Sequence, residues 1–115
     1  MRRGEIRLVD LEPARGSEAD KLRPAVIVSN DRANSAAERS GRGVITVVPV
    51  TSNVSRVFPF QVPIPEGVAG LRADSKAQAE QVRSVAVDRL GAALGRVPAE
   101  VMRRVDAALR VHLGL

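Results

Sequence analysis

Residues 98–115 read PAEVMRRVDAALRVHLGL, and the period of this closing stretch sets how everything before it is read. Pro98 suits the first helical position, because the N–H it lacks would find no partner there, and Glu100 complements the positive end of a helix dipole. Val101, Val105, Ala108, Leu109 and His112 recur at three- and four-residue spacings and so share one face. The spacing predicts a long amphipathic helix at the end of the chain, with His112 on its apolar stripe. A lone imidazole there is more often a packed or interface side chain than a catalytic one.

Upstream the period changes. Gly4 to Leu11 alternates apolar with polar residues and reads as a first strand, and the β-branched run Pro24 to Ser29 reads as a buried second one. Glu12 to Lys21, punctuated by Pro13 and Gly16, is a polar loop. Asn30 to Arg42 is polar and Ala/Ser-rich and is expected to be an exposed loop with at most one helical turn. Gly43 to Val50 is a third strand and Phe58 to Ile64 a fourth, which Pro59, Pro63 and Pro65 put at an edge or end early. Leu71 to Val87 holds a fifth, followed by a short helical or extended piece. Strands first and one long helix last predict an α+β domain with an antiparallel sheet. No internal repeat or linker interrupts residues 1–115, so one domain is expected.

Composition narrows the chemistry. The chain has one His, no Cys, no Trp, no Tyr and two Phe. Disulfides and thiolate metal sites are excluded, as are a His-rich zinc site and a two-His acid/base pair within one subunit. Two phenyl rings fall short of the broad stacking platforms of many single-strand binders, and Phe58 and Phe60 are expected to fill core and flanking positions. No apolar run approaches the roughly 18 residues of a membrane span and no signal-peptide core follows Met1, so a cytoplasmic protein is expected. The net charge is +5, and 16 of the 18 basic residues are Arg, the side chain best shaped to hold phosphate through two parallel hydrogen bonds. A GC-rich genome would also enrich Arg. The charge is spread evenly, with 10 basic and 7 acidic groups in residues 1–57 and 8 and 6 in the rest, so a polyanion site would have to be assembled by folding.

The familiar signatures are absent: there is no phosphate-binding glycine loop, no Gly-x-Ser-x-Gly elbow, no His-Glu-x-x-His and no zinc-finger spacing. What remains are polar groups at strand ends, where loops present side chains on a rigid frame. These are Gly16-Ser17-Glu18 with Arg23-Pro24, then Pro49-Val50-Thr51-Ser52, then Ser75 with Glu80-Gln81-Val82-Arg83. Together with Gly4-Glu5-Ile6, Asp10-Leu11-Glu12-Pro13, Asn34, Phe58-Pro59-Phe60-Gln61-Val62 and Arg89-Leu90-Gly91, in this order, they make the sequence resemble the MazF/PemK toxins. These are sequence-selective endoribonucleases of bacterial type II toxin–antitoxin pairs.

The resemblance implies a small SH3-like antiparallel β-barrel of the CcdB/PemK toxin fold, about five strands with a C-terminal helix, in a homodimer with RNA lying near the subunit interface. It implies an antitoxin partner similar to MazE, whose acidic disordered tail covers the same groove, and it implies that Arg23 and Thr51 are the catalytic pair. In two places the chain departs from the family pattern. Arg7 stands where an aromatic residue usually follows Gly-Glu-Ile, and Asn34 to Arg42 is a fuller loop than the shortest members have.

The chemistry can be examined apart from the resemblance. RNA is cut without a metal when its own 2′-hydroxyl attacks the adjacent phosphate. The enzyme must then take up one proton, stabilise a crowded oxyanion and protonate the leaving oxygen. Arg23 can hold the nonbridging oxygens and Thr51 can add a neutral donor. The resemblance implies proton transfer by Arg23, but a guanidinium is a poor base at neutral pH, so electrostatic stabilisation is its larger role and whether Glu18 or Arg23 is the general base stays open. Glu18 either orients Arg23, accepts the proton or is simply a solvated loop carboxylate.

Ser17, Lys21, Ser52, Arg56, Gln81 and Arg83 are the candidate RNA contacts: Gln81 reads a base edge or braces a loop, and Arg83 holds the backbone or pairs with a carboxylate. Asp10, Glu12, Glu18 and Asp20 read as solvated carboxylates and not as a Mg²⁺ site, so no metal or other cofactor is expected. Two other readings stay open. A CcdB-like gyrase poison would act through Val111 to Leu115, and an inactive basic RNA-binding module would show salt-sensitive binding alone.

Overall fold

The computed structural model describes residues 1–11 and 22–115. The elements are β1 (Glu5–Asp10), β2 (Leu22–Ile27), α1 (Asp31–Ser40), β3 (Val44–Thr51), β4 (Gln61–Ile64), β5 (Ser75–Gln78), β6 (Arg83–Ala86), β7 (Leu90–Arg96) and α2 (Ala99–Leu113). The strands form one antiparallel sheet in the order β4-β5-β3-β2-β1-β7, with β6 pairing the other half of β3. β4 lies at an edge, as its prolines require. Among the described residues no helix is long and apolar enough to cross a membrane.

Both faces of the central strands are buried, which explains the unbroken apolar runs in β2 and β3. Val26 and Val48 point into a core that α2 closes with Val105 and Ala108. Ala25, Ile27, Ile45 and Val47 point the other way, into a second core that α1 closes with Ala37. Val26, Ile27, Val47 and Val48 are each 0% exposed, and burying a side chain of that size contributes about 1.5–3 kcal/mol.

Several expectations are corrected. Asn30 to Arg42 is no loop: Asp31–Ser40 is a ten-residue helix. Its N-cap is Asn30, whose Oδ1 accepts from the Ala33 N–H at 2.8 Å, and its C-cap is Gly41 in the left-handed region at φ 66°. Asn34, wholly buried, ties this helix to the sheet. Its Nδ2 donates to the Ser29 carbonyl at 2.9 Å, and the Ser29 hydroxyl, 2.5 Å from Asn34 Oδ1, accepts from Thr46 N–H. The Asp31 carboxylate accepts from the Arg3 backbone N–H, which holds its pKa below the ordinary 3.8 against the opposing desolvation, with lesser help from Asn34, Arg2 and Arg96. That contribution is present above the ordinary aspartate range and fades as pH falls through the lowered value.

The strands number seven among the described residues, not five, because β6 is separate and Leu90–Arg96 forms β7. Arg7, in place of the family's aromatic, ties β1 to β7 by donating from Nε to the Gly91 carbonyl at 3.1 Å. The fourth strand starts at Gln61, which leaves Phe58 and Phe60 outside both cores. Pro98 is the N-cap of α2 and not its first helical residue, and His112 lies exposed on this chain beyond the buried Val105 and Ala108.

The edge of β7 is met backbone to backbone by the short 3-10 turn Val68–Gly70. A Cβ on Gly95 would stand 2.6 Å from the Ala69 carbonyl carbon, whereas one on Gly41 would meet nothing within 4 Å. Gly95→Ala is therefore expected to cost about 1–3 kcal/mol through overpacking, and Gly41→Ala about 1–2 kcal/mol through its dihedral alone. Urea melts of the two variants check this. Displacement of the Val68–Gly70 turn, read from amide chemical shifts around Ala69, should accompany only the Gly95 change.

Candidate active site

The β2–β3 ladder pairs Ala25 with Pro49, Val26 with Val48 and Ile27 with Val47. Carried two residues further, this register sets Arg23 opposite Thr51 at the open end of the ladder. Strand alternation puts Arg23 on the face of Ala25 and Ile27, and Thr51 on the face of Val47. Arg83 stands opposite Val47 on β6 and so shares that face. Its Nη1 donates to the Leu11 carbonyl at 2.6 Å, which fixes the guanidinium beside the end of β1. Three of the candidate residues thus lie on one side of the sheet, where the second core runs out.

The loop after Thr51 is organised by side chains that fold back on their own backbone. Thr51 Oγ1 accepts from the Asn53 N–H at 3.2 Å, so its own O–H remains free to donate. Asn53 Oδ1 in turn accepts from the Ser55 hydroxyl at 2.9 Å. Ser52, Arg56 and Gln81 are exposed around this loop, Gln81 at the end of the 3-10 turn Ala79–Gln81. Ser17, Glu18 and Lys21 lie outside the described residues.

Two features were not expected from the sequence. Lys76 pairs with Thr51 across β3 and β5 and is only 7% exposed; its Nζ donates to the Arg56 carbonyl at 2.5 Å, pinning the loop. It is one of two Lys in an Arg-rich chain, a rarity that could have singled it out. Second, Gln61 is buried and clamps the turn before β4. Its Oε1 accepts from Phe58 N–H at 3.1 Å and its Nε2 donates to Glu80 Oε2 at 2.7 Å, while Glu80 Oε1 is buried without a hydrogen-bond partner. Gln61 and Glu80 are far apart in sequence, and only the β4–β5 pairing joins them.

A polar cavity of about 430 Å³ lined by Arg3, Asp31, Arg96 and Asp106 lies at the Gly4 end of β1, away from Arg23, which faces Val9 near the other end. A more apolar hollow of about 370 Å³, lined by Val54, Val57, Pro63 and Pro65, borders the loop after Thr51. Among the described residues no group of three or more His, Cys, Asp or Glu could hold a metal ion.

The antiparallel sheet closed by a C-terminal helix is the fold that comparisons with known proteins also return. Residues 2–113 match the model of the PemK-like, MazF-like toxin of type II toxin–antitoxin systems, and the chain belongs to that family. It is 62% identical over 115 residues to Endoribonuclease MazF9 of Mycobacterium tuberculosis, covering 100% of this chain and 98% of the relative. A solved endoribonuclease from a mycobacterial species superposes with a TM-score of 0.76 at 25% identity, over 100% of this chain and 92% of that one. Another, an endoribonuclease in complex with its cognate antitoxin, shares the fold with a TM-score of 0.78 at 24% identity, over 100% and 96%.

Removing the Lys76 amine leaves the Arg56 carbonyl without its charged donor. Lys76→Met is expected to lower stability by about 1.5–3 kcal/mol, measured by urea denaturation, and to speed amide exchange in the loop after Thr51 while leaving α2 protected.

Proposed function

We propose that this chain is an endoribonuclease toxin that cuts single-stranded RNA at a short sequence and so arrests translation and growth. What supports the reading is the facing placement of Arg23 and Thr51 at one sheet end in a chain of the PemK/MazF family. The relative at 62% identity is named an endoribonuclease.

In the proposed mechanism the RNA 2′-hydroxyl attacks the neighbouring phosphorus. The bond from phosphorus to the 5′ oxygen breaks, leaving a 2′,3′-cyclic phosphate and a free 5′-hydroxyl. One proton leaves the attacking oxygen and one reaches the departing oxygen, so no metal or other cofactor is required. Arg23 gives two charge-assisted hydrogen bonds to the nonbridging oxygens, and the Thr51 hydroxyl, oriented by the Asn53 N–H, adds a third donor. Glu18 orients Arg23 or takes the proton. Ser17, Lys21, Ser52, Arg56, Gln81 and Arg83 hold the flanking nucleotides.

The whole of residues 1–115 acts as one toxin domain in this reading, in the cytoplasm, as a homodimer of about +10 charge. Such a dimer offers a basic groove to messenger, ribosomal or transfer RNA, and its positive field favours the acidic, disordered tail of an antitoxin similar to MazE. The exposure of Val111, Leu113 and Leu115 at the end of α2 is the one observation that favours a CcdB-like gyrase poison instead.

The two separate in one assay. Purified protein is expected to cleave RNA in EDTA, and to spare a substrate carrying a 2′-deoxy sugar at the cut. A gyrase poison cleaves neither. Arg23→Ala and Thr51→Ala are expected to slow cleavage by about a hundredfold or more with unchanged circular dichroism and melting temperature. Wild-type rates in both variants would sink the site assignment.

A further inference from the structure

We infer that Phe58, backed by Phe60 and rimmed by Arg56, is a seat on which one unpaired base of the RNA stacks beside the scissile phosphate. The inference rests on the proposed function and adds to it a substrate-binding group outside the polar residues considered so far.

Every phenyl ring of the protein is in this one place. The chain has two Phe, no Tyr and no Trp, and the two rings stack with centroids 5.3 Å apart and planes 1° from parallel. Neither belongs to a core, and Phe58 is 39% exposed. An exposed ring costs hydration that a core position would relieve, so Phe58, left exposed on top of Phe60, calls for a partner.

The seat is also rigid and near the chemistry. The Phe58 backbone is held at both ends by Gln61: its N–H donates to Gln61 Oε1 at 3.1 Å, and its carbonyl accepts from Gln61 N–H at 2.9 Å. Gln61 is fixed in turn by Glu80, the buried network that the mechanism itself does not use. Lys76, the register partner of Thr51, also approaches the ring, its Nζ 5.9 Å from the Phe58 centroid. Lys76 thus links the ring to the strand end that bears the proposed catalytic hydroxyl.

The Arg56 guanidinium carbon stands 5.6 Å from the same centroid. One exposed cation on a ring is held more weakly than a stacked base, so an incoming base displaces Arg56 or is sandwiched by it. Either way the displaced guanidinium stays within reach of the adjoining phosphates. Stacking is tolerant of base identity, so the seat anchors the strand, and sequence preference is left to the hydrogen-bonding groups around it.

The test uses a single-stranded 2′-O-methyl oligonucleotide of mixed sequence, which cannot be cut because the attacking hydroxyl is blocked. Phe58→Trp introduces the protein's sole indole, and its fluorescence is expected to be quenched as the oligonucleotide binds. Phe58→Leu is expected to bind about tenfold more weakly at matched melting temperature, and an abasic nucleotide at one position should weaken the wild type equally while leaving Phe58→Leu unaffected. An unquenched indole, or full affinity in Phe58→Leu, overturns the proposal. So does a Phe58→Leu change that spares RNA and weakens only a synthetic acidic peptide, which would assign the rings to a protein partner. Cleavage of all-ribose RNA, run in parallel, keeps the two readings apart. Quenching without cleavage removes the nuclease and leaves the seat, and cleavage without quenching does the reverse.

Discussion

Between Val47 and Val50 the third strand exchanges one edge partner for another, and most of what the site contains depends on that exchange. Val47 pairs with Arg83 of β6, and Val50 pairs with Ala77 of β5. Only Val48 and Pro49 lie between, yet the partner chain spends five residues, 78–82, covering the same distance. Pro49 has no N–H to give a ladder, so an interruption is least costly there. The excess residues close into the 3-10 turn Ala79–Gln81, which places Glu80 against Gln61 and leaves Gln81 exposed at the rim. Beyond the interruption β3 continues long enough to carry Thr51 to the facing position of Arg23.

That arrangement divides labour between two kinds of group. The face that ends the second core gathers charge and hydroxyl, in Arg23, Arg83 and Thr51, while the loop beyond Thr51 carries the apolar rings. Lys76 joins the two. It pairs with Thr51 in register, and its amine caps a carbonyl in the loop that bears Phe58. The one imidazole of the chain lies exposed on the far part of α2, away from this face, so the proposed chemistry relies on placed donors and electrostatics.

Much of the architecture was legible locally. The four strands read from Gly4 to Ile64 exist within a few residues of their expected bounds, and the edge position of β4 followed from its prolines. The helix α1 escaped because its apolar residues are only alanines; the signals that mark it are its caps, Asn30 and Gly41. β7 escaped because Leu90–Arg96 holds two glycines that look like loop residues. They are required instead by close approach, Gly91 to the Leu8 carbonyl and Gly95 to Ala69. Phe58 and Phe60 flank β4 and fill no core position, because a phenyl ring in a sequence carries no record of whether its strand begins before it or after it.

By itself the sequence determined the family, the α+β class and the identity of Arg23 and Thr51 as strand-end residues, since each rests on local pattern and order. Tertiary structure alone decided that those two face each other, that Lys76 lies beneath the loop, and that Glu80 meets Gln61. It also decided that neither ring joins a core and that Phe58 is left exposed. The reason is physical: pairing register couples residues separated by dozens of positions through backbone hydrogen bonds that are the same for every side chain. Which residues meet is therefore fixed by how the strands align as a set, and is written in no single stretch of the chain.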